Sequence, residues 1–198
     1  MYKKNTKIII YIIFYFFSFY KTTQAKDFNA EDIQNYFQKL NEFSCNFIQA
    51  NPDGSVSEGK MIYSNDKIKI NYIKPSKITF IAKKNKAMYY NEDLEELHYF
   101  NPNKTAFSIF KSFFKFSEMP KESYNLINNN NVIKINLTKV EVEEITKFEV
   151  IFQNSPLELK KIQWTTVDGN SIFSIYNLDT QVMINKKTFS MASPILNN

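Results

Sequence analysis

The chain has 198 residues, of which 43% are hydrophobic and 16% aromatic, and its formal net charge is +5. This balance does not indicate a nucleic-acid partner, because four lysines lie in the first 25 residues and the net charge without them is +1. The remaining length is typical of one domain with a substantial core, and the single cysteine, Cys45, excludes an internal disulfide.

The first 25 residues have the pattern of a secretory signal peptide. Three lysines precede an apolar run at 8–20, and Ala25 provides a small residue at the cleavage point. A membrane anchor is the alternative, but a helix needs about 20 apolar residues to span a bilayer. We therefore expect cleavage near Ala25, export to the periplasm of a bacterium with two membranes, and one mature domain over 26–198.

A short helix is predicted at the start of the mature chain, over 30–41. Asn29 is a good N-cap, and Asp32 follows three residues later, as in a capping box. Ile33 and Phe37 fall on one side of this helix, so it is expected to pack on a sheet through that side.

The segment that follows the helix shows the alternation of apolar and polar side chains that is typical of half-buried strands. Ile68, Ile70 and Tyr72, for example, alternate with lysines and an asparagine. Cys45 shares one face of its strand with two phenylalanines, which favours a buried thiol over a reactive one. The pattern predicts strands at 43–49, 59–63, 67–72, 78–82, 87–91 and 96–100.

Phenylalanines recur at helical spacing within 107–116, which predicts a short helix that ends before Pro120. The pattern after it predicts further strands at 132–137, 147–154, 158–166 and 171–177, and a last one at 182–189 that closes the sheet. About ten short strands with two or three short helices indicate a mainly β fold with short helices. We expect a strongly curved antiparallel sheet, or open half-barrel, closed by a helical lid.

Little in the sequence indicates catalysis. His98 is the only histidine, so no histidine pair is available for a metal, and a G-x-S-x-G nucleophile motif is absent. The three glycines cannot form a phosphate-binding loop, because they are spread over the chain. We therefore predict a protein that is not an enzyme and needs no metal or cofactor.

The aromatic residues indicate an apolar cavity instead. Because helices are few, one face of a single sheet is expected to carry most of the aromatic side chains. The helix at 107–116 is the candidate lid over that face. A half-barrel closed by a short helix encloses a space suited to acyl chains.

The order and spacing of several segments resemble the LolA family of outer-membrane lipoprotein carriers. The resemblance is carried by Phe43-Ser-Cys-Asn-Phe-Ile-Gln49, Gly59-Lys-Met61, Ile68-Lys-Ile-Asn-Tyr72 with Pro75, Met88-Tyr-Tyr-Asn-Glu-Asp93 with Leu94 and Leu97, and Ile184-Asn185 through Phe189. The first segment is similar to the family's Phe-x-x-x-Phe-x-Gln strand, the third to its Tyr-x-x-Pro strand ending, and the fourth to its Tyr-Asp-x-x-Leu hairpin. The last is similar to a terminal strand that ends in Phe.

The resemblance implies a monomeric periplasmic carrier that binds the acyl chains of lipoproteins in a hydrophobic cavity and ferries them from the inner to the outer membrane. The implied partners are acylated lipoproteins, an inner-membrane lipoprotein-releasing transporter and an outer-membrane receptor. Strand parity and the resemblance together predict a cavity lined by Phe43, Phe47, Met61, Tyr63, Ile68, Ile70, Tyr72, Phe80, Met88 and Tyr90. The lid is predicted to present Phe107, Phe110, Phe113 and Phe114.

One departure from the family concerns how the lid is held. The family has an Arg-Pro pair in the first hairpin, where the Arg holds the lid shut by hydrogen bonds, but this chain has 64–66 as Ser-Asn-Asp and contains no arginine. Ser64, Asn65 and Lys67 are the polar candidates in that hairpin. Neutral groups form weaker bonds, and lysine lacks the planar fork of arginine. We therefore expect a lid that opens more readily and releases cargo more easily.

Three alternatives remain open from the sequence. The same fold could carry another lipid, or act as an envelope-stress sensor that binds lipoproteins. A lipid-metabolising enzyme would have to use His98. A receptor lipoprotein of the same fold is disfavoured, because no cysteine directly follows the apolar run at 8–20.

Overall fold

The computed structural model describes residues 28–193 except 130, 141 and 143, and it leaves out the side chains of residues 104, 106, 110 and 117. The predicted signal peptide and its cleavage site lie outside the described residues. Two α-helices are described, α1 (Ala30–Lys39) and α2 (Ala106–Phe114), together with 3-10 turns at Pro102–Lys104, Phe116–Glu118 and Lys121–Ser123. The strands are β1 (Glu42–Ala50), β2 (Val56–Ser64), β3 (Lys67–Lys74), β4 (Ile78–Lys83), β5 (Lys86–Asn91), β6 (Glu96–Phe100), β7 (Tyr124–Asn129), β8 (Val132–Leu137), β9 (Lys147–Gln153), β10 (Glu158–Thr166) and β11 (Gly169–Asp179).

All the described strands belong to one antiparallel, curved and open sheet. Their spatial order is β6-β5-β4-β3-β2-β1-β11-β10-β9-β8-β7. Two runs of consecutive hairpins, β1–β6 and β7–β11, are therefore joined by a single long-range pairing in which Phe47 of β1 lies opposite Ile175 of β11. The predicted fold class, mainly β with short helices, is confirmed.

Helix α1 begins as the sequence predicts. Asn29 Oδ1 accepts hydrogen bonds from the backbone N–H groups of Glu31 (2.9 Å) and Asp32 (3.1 Å). Asp32 Oδ2 in turn accepts from Asn29 N at 3.0 Å, which completes the capping box. Ile33 and Phe37 are buried, so the apolar side of α1 packs on the sheet as expected.

The strand pattern differs from the prediction in two places. Strand β7 (Tyr124–Asn129) was not predicted, because its asparagines resemble a turn and leave little apolar alternation. The predicted strand at 182–189 is not formed. The backbone turns at Asn185, whose side chain accepts from Lys187 N at 2.8 Å. The strand position beside β1 that a terminal strand could have taken is occupied by β11.

The two faces of the sheet pack against different parts of the chain. We call the face that packs on α1 and α2 the inner face and the opposite one the outer face. The inner face contributes most of the core, including Phe43, Phe47 and Phe152. A smaller cluster on the outer face joins Ile81 and Met88 to Phe189, because the C-terminal segment crosses that face instead of extending the sheet.

Gly59 lies where the ring of Phe47 crosses β2. A Cβ atom at this position would lie 2.6 Å from Phe47 Cζ and would also collide with the backbone oxygen of Asn71. The ring cannot easily withdraw, because it stacks on Phe173 with centroids 4.3 Å apart and meets the edge of Tyr72 at 5.2 Å. Only glycine allows this contact between β1, β2 and β11.

We expect Gly59→Ala to lower the free energy of unfolding by about 1–3 kcal/mol, because Phe47 and β3 have to move apart. Urea denaturation measures the change. Lys60→Ala, at the neighbouring exposed position of β2, is the control and should change the free energy of unfolding by less than about 0.5 kcal/mol. Equal effects of the two substitutions would contradict the proposed packing role of Gly59.

Candidate functional site

The inner face of β3–β6 borders a cavity of about 450 Å³ beneath the start of α2. This volume lies within the range of about 300–1,000 Å³ that is typical of ligand pockets. The cavity is lined by Gln49, Ser57, Ile68, Ile70, Tyr72, Ile78, Phe80, Tyr89, Phe100, Thr105, Phe107, Trp164 and Phe173. Most of these side chains are apolar or aromatic, so the cavity suits an apolar ligand better than a polar one.

Five of the residues predicted for the cavity and lid meet at this cavity. Ile70 lies opposite Phe80 in the β3–β4 pairing, and Ile68 and Tyr72 flank Ile70 on the same face of β3. Phe107 of α2 approaches Phe80 edge-on, with ring centroids 5.9 Å apart. Strand parity therefore identified the β3 and β4 side of the cavity.

Four other predicted residues do not line the cavity and are corrected here. Phe43, Phe47, Met61 and Tyr63 lie on the inner face, but each is at most 6% exposed. Phe43 and Tyr63 pack against Phe114 at the end of α2, whereas Phe47 packs between Tyr72 and Phe173. All four belong to the hydrophobic core. The alternation of residues along a strand predicts the face on which a side chain lies, but it does not show which other side chains cover that face.

Met88 and Tyr90 are on the wrong face for the predicted lining. The turn between β4 and β5 has two residues and sets Phe80 opposite Tyr89, so Tyr89 is the β5 residue that borders the cavity. Met88 packs on Phe189 on the outer face, and Tyr90 joins the same cluster. The prediction placed the even-numbered residues of β5 on the inner face, but the odd-numbered residues lie there. A shift of one residue moves every side chain of a strand to the opposite face of the sheet.

The predicted lid residues have different environments along α2. Phe107 lines the cavity, whereas Phe113 stacks on Phe148 with centroids 5.2 Å apart. Phe114 stacks on Tyr63 at 4.2 Å. Phe110 belongs to α2, but its side chain lies outside the described part of the structure. The second half of α2 is thus anchored in the core, and the first half covers the cavity.

Several lining residues were not predicted from the sequence. Trp164 and Phe173 come from β10 and β11, and they reach the cavity because β11 pairs with β1, where Gln49 lies opposite Phe173. No local pattern indicates that pairing. Tyr89 and Phe100 could have been found from the two-residue turn between β4 and β5, which fixes the phase of β5, and from the pairing of β5 with β6.

The polar groups at one end of the cavity bind one another. Tyr72 donates its hydroxyl hydrogen to Gln49 Oε1 at 2.9 Å, and Gln49 Nε2 donates to Asn51 Oδ1 at 2.7 Å. Burial raises the pKa of Tyr72 to about 12, so the hydroxyl stays neutral at physiological pH. The hydroxyl group therefore brings no charge to the cavity.

The polar residues expected to hold the lid have other partners. Ser64 Oγ donates to Glu42 Oε1 at 2.6 Å, and Asn65 Nδ2 donates to the same oxygen at 3.1 Å. Lys67 Nζ lies over the ring of Phe189, 5.9 Å from its centroid. These contacts hold neighbouring parts of the sheet and the C-terminal segment together and do not reach α2.

A different residue of the same hairpin reaches the end of α2. Asp66 Oδ2 lies 3.2 Å from Nζ of Lys115, the residue that follows α2. The hydrogen bond from this ammonium to Asp66 raises the pKa of Lys115, so the lysine is charged at neutral pH. The hairpin therefore supplies an acceptor for a donor on the helical segment, the reverse of the arrangement that the family resemblance implies.

The residues that could support catalysis or bind metal are dispersed. The side chain of His98 is 64% exposed, and its Nε2 lies 3.9 Å from Glu96 Oε2. Burial raises the pKa of the Cys45 thiol to about 12, which keeps it protonated. No group of three His, Cys, Asp or Glu side chains that could hold a metal ion occurs in the described part of the chain.

Within the same part, no helix combines the length and apolar character needed to cross a membrane.

Comparisons with known proteins agree with this architecture. The family model of the outer membrane lipoprotein carrier protein LolA matches residues 38–192. A crystal structure of an uncharacterised conserved protein from Thermus thermophilus is similar, with a TM-score of 0.55 and 7% identity over 83% of this chain and 96% of that one. A LolA superfamily protein from Nitrosomonas europaea has a TM-score of 0.44 and 9% identity over 83% and 98% of the two chains. No curated protein matches the sequence.

We expect Asp66→Asn to increase hydrogen exchange in residues 106–118 without changing that of the central strands. Asparagine keeps the left-handed backbone at this position, where φ is 63°, but removes the charge that Lys115 contacts. An exposed ion pair contributes about 0.2–1 kcal/mol, so exchange should rise by no more than about fivefold. Glu58→Gln, which breaks the exposed Lys74–Glu58 pair elsewhere, is the control. Unchanged exchange in 106–118 would mean that the pair does not restrain the segment.

Proposed function

Because the chain belongs to the LolA family, we propose that it is an exported carrier that holds the acyl chains of lipoproteins in the cavity beneath α2. The observation that carries the proposal is the lining of that cavity, where Ile70, Phe80 and Trp164 are grouped with other apolar side chains. Such a lining suits a hydrocarbon ligand.

Transfer energies explain why a carrier is needed. Removing one methylene group from water contributes about 0.8 kcal/mol, so exposing three long acyl chains would cost tens of kcal/mol. A lipoprotein cannot cross an aqueous compartment at that cost, but a cavity that shields the chains makes the transfer possible. The carrier has to bind and release its cargo, and neither step requires covalent chemistry.

The size of the cavity also supports a carrier, because about 450 Å³ falls within the range of about 300–1,000 Å³ that is typical of ligand pockets. We propose that α2 moves away from β3 and β4 when cargo with several acyl chains enters.

The contacts of α2 indicate which part of the helix would move. Phe107, at the start of the helix, meets Phe80 edge-on across the cavity. Phe113 and Phe114, at its end, stack closely on Phe148 and Tyr63. We propose that the first half of α2 swings outward while the second half stays in the core.

The partners in this proposal follow from the family. Acylated lipoproteins are the cargo, an inner-membrane lipoprotein-releasing transporter would load the cavity, and an outer-membrane receptor would empty it. The proposal also includes the signal peptide over 1–25, which would deliver the carrier to the periplasm as a single mature domain.

Two other functions make different predictions for the purified protein. A carrier of another lipid would have the same cavity but different contents, which mass spectrometry of organic extracts would identify. A lipid-metabolising enzyme would depend on His98, whose exposed position beside Glu96 offers no nucleophile or metal for such a reaction. His98→Ala should therefore leave function unchanged.

We expect Ile70→Glu to abolish binding of acylated cargo while the far-UV circular dichroism stays nearly native. A carboxylate at position 70 would face the apolar cavity without a partner, and burying an acyl chain against it would be unfavourable. Copurified lipid or binding of a fluorescent fatty-acid probe measures the loss. Lys69→Glu places the same charge on the outer face of the same strand and should bind normally.

One result would contradict the carrier proposal, and another would require a second variant. Full cargo binding by Ile70→Glu would mean that the cavity is not the site. Unfolding of this variant would mean that Ile70 is an ordinary core residue, in which case Phe107→Glu at the opposite wall provides the second test.

A further inference from the structure

Lysines form a row on the outer face of β3, β4 and β5. Lys67 lies directly opposite Lys83, and Lys83 lies directly opposite Lys86. Neighbouring strands are about 4.8 Å apart, so the three side chains leave the sheet within roughly 10 Å of one another. Lys84, which is exposed in the turn between β4 and β5, adds a fourth ammonium group.

No carboxylate among the described residues forms an ion pair with any of these lysines. Two acids at the same end of the sheet have other partners, since Asp66 pairs with Lys115 and Glu42 accepts from Ser64 and Asn65. Like charges directly opposite each other destabilise a sheet. Lysines often protect the edges of sheets from aggregation, but β3, β4 and β5 are interior strands, so edge protection does not explain this row.

The C-terminal segment extends the basic surface. Lys83 Nζ donates to the backbone oxygen of Phe189 at 3.4 Å, which fixes the segment beside the row. Lys186 and Lys187, just before Phe189, are both exposed. Together, Lys67, Lys83, Lys84, Lys86, Lys186 and Lys187 form what we call the basic patch.

Aromatic side chains border the basic patch. Tyr99 of β6 is 56% exposed and Phe100 is 39% exposed. They share a groove with Lys83, Lys86 and Met191, and Tyr99 donates its hydroxyl hydrogen to the backbone oxygen of Met191 at 2.9 Å. Lysine side chains next to exposed aromatic side chains are typical of protein surfaces that bind at the interface of a bilayer.

We propose that the basic patch docks this protein on the surface of an anionic phospholipid bilayer. Six ammonium groups spread over three strands and a second segment match a surface that carries phosphates across its whole area. One small anion could neutralise only part of the patch. Each lysine near such a surface contributes to binding, and Tyr99 and Phe100 would enter the headgroup region.

Docking in this orientation would bring the cavity close to the membrane. Phe100 lines both the groove beside the basic patch and the cavity beneath α2. Lipid at the groove would therefore face the same edge of the sheet that borders the cavity. The docking itself does not require the cavity to hold lipoprotein, so it can be tested separately from the proposed function.

The test measures cosedimentation of the exported protein with unilamellar vesicles. Vesicles of phosphatidylcholine containing phosphatidylglycerol should bind the protein at low ionic strength, and pure phosphatidylcholine vesicles should not. Lys84→Glu with Lys86→Glu should weaken binding by at least about tenfold, because two attractive charges become repulsive. Added salt should weaken it as well.

The control variant combines Lys121→Glu with Lys139→Glu, which changes the net charge equally at exposed positions near the opposite edge of the sheet. It should bind vesicles like the unmodified protein, and so should Ile70→Glu. Equal loss in both double variants, equal binding to neutral vesicles, or no binding to anionic vesicles would overturn the docking proposal. Normal cargo binding by Lys84→Glu with Lys86→Glu would show that the two proposals fail or succeed independently.

Discussion

The inner face of the sheet carries more apolar surface than two short helices can cover. The end of α2 covers part of the central strands, where Phe43 packs against Phe114, and Phe47 is buried among side chains of neighbouring strands. Among the described residues, part of the inner face of β3–β6 borders the cavity beneath the start of α2. Each Å² of apolar surface left in water costs about 25 cal/mol, so this uncovered stretch favours an apolar occupant. The cavity is thus the part of the core that the chain itself does not fill.

The pairing of β1 with β11 makes that cavity possible. It joins two runs of hairpins into one sheet, and it brings Phe173 and Trp164 beside a cavity whose other walls come from β3–β6. The junction is tightly packed, because the ring of Phe47 lies between Phe173 and the backbone at Gly59. A larger residue at position 59 would separate the strands on which both walls depend.

Local patterns in the sequence predicted most of the elements, but the assignment of residues to faces depended on contacts that the sequence does not contain. The capping residues Asn29 and Asp32 and the alternation in β3 are local signals, and both predictions are confirmed. The prediction for Met88 is wrong because the phase of β5 is set by its two-residue turn and not by its own composition. Trp164 was not identified because its place follows from the pairing of β1 with β11, far away in the chain.

The contacts at the two ends of α2 differ in kind. The Asp66–Lys115 pair is exposed, so it contributes about 0.2–1 kcal/mol and is screened by salt. Phe114, which is partly buried, stacks on the buried Tyr63, and such aromatic pairs contribute about 0.5–1.5 kcal/mol beyond the area they bury. Both contacts hold the end of the helix, whereas at its start the ring of Phe107 meets Phe80 edge-on and, just before it, Asn103 Nδ2 donates to Asn85 Oδ1 at 3.3 Å. The end of α2 is therefore held by an ion pair and two aromatic stacks in a chain that contains no arginine.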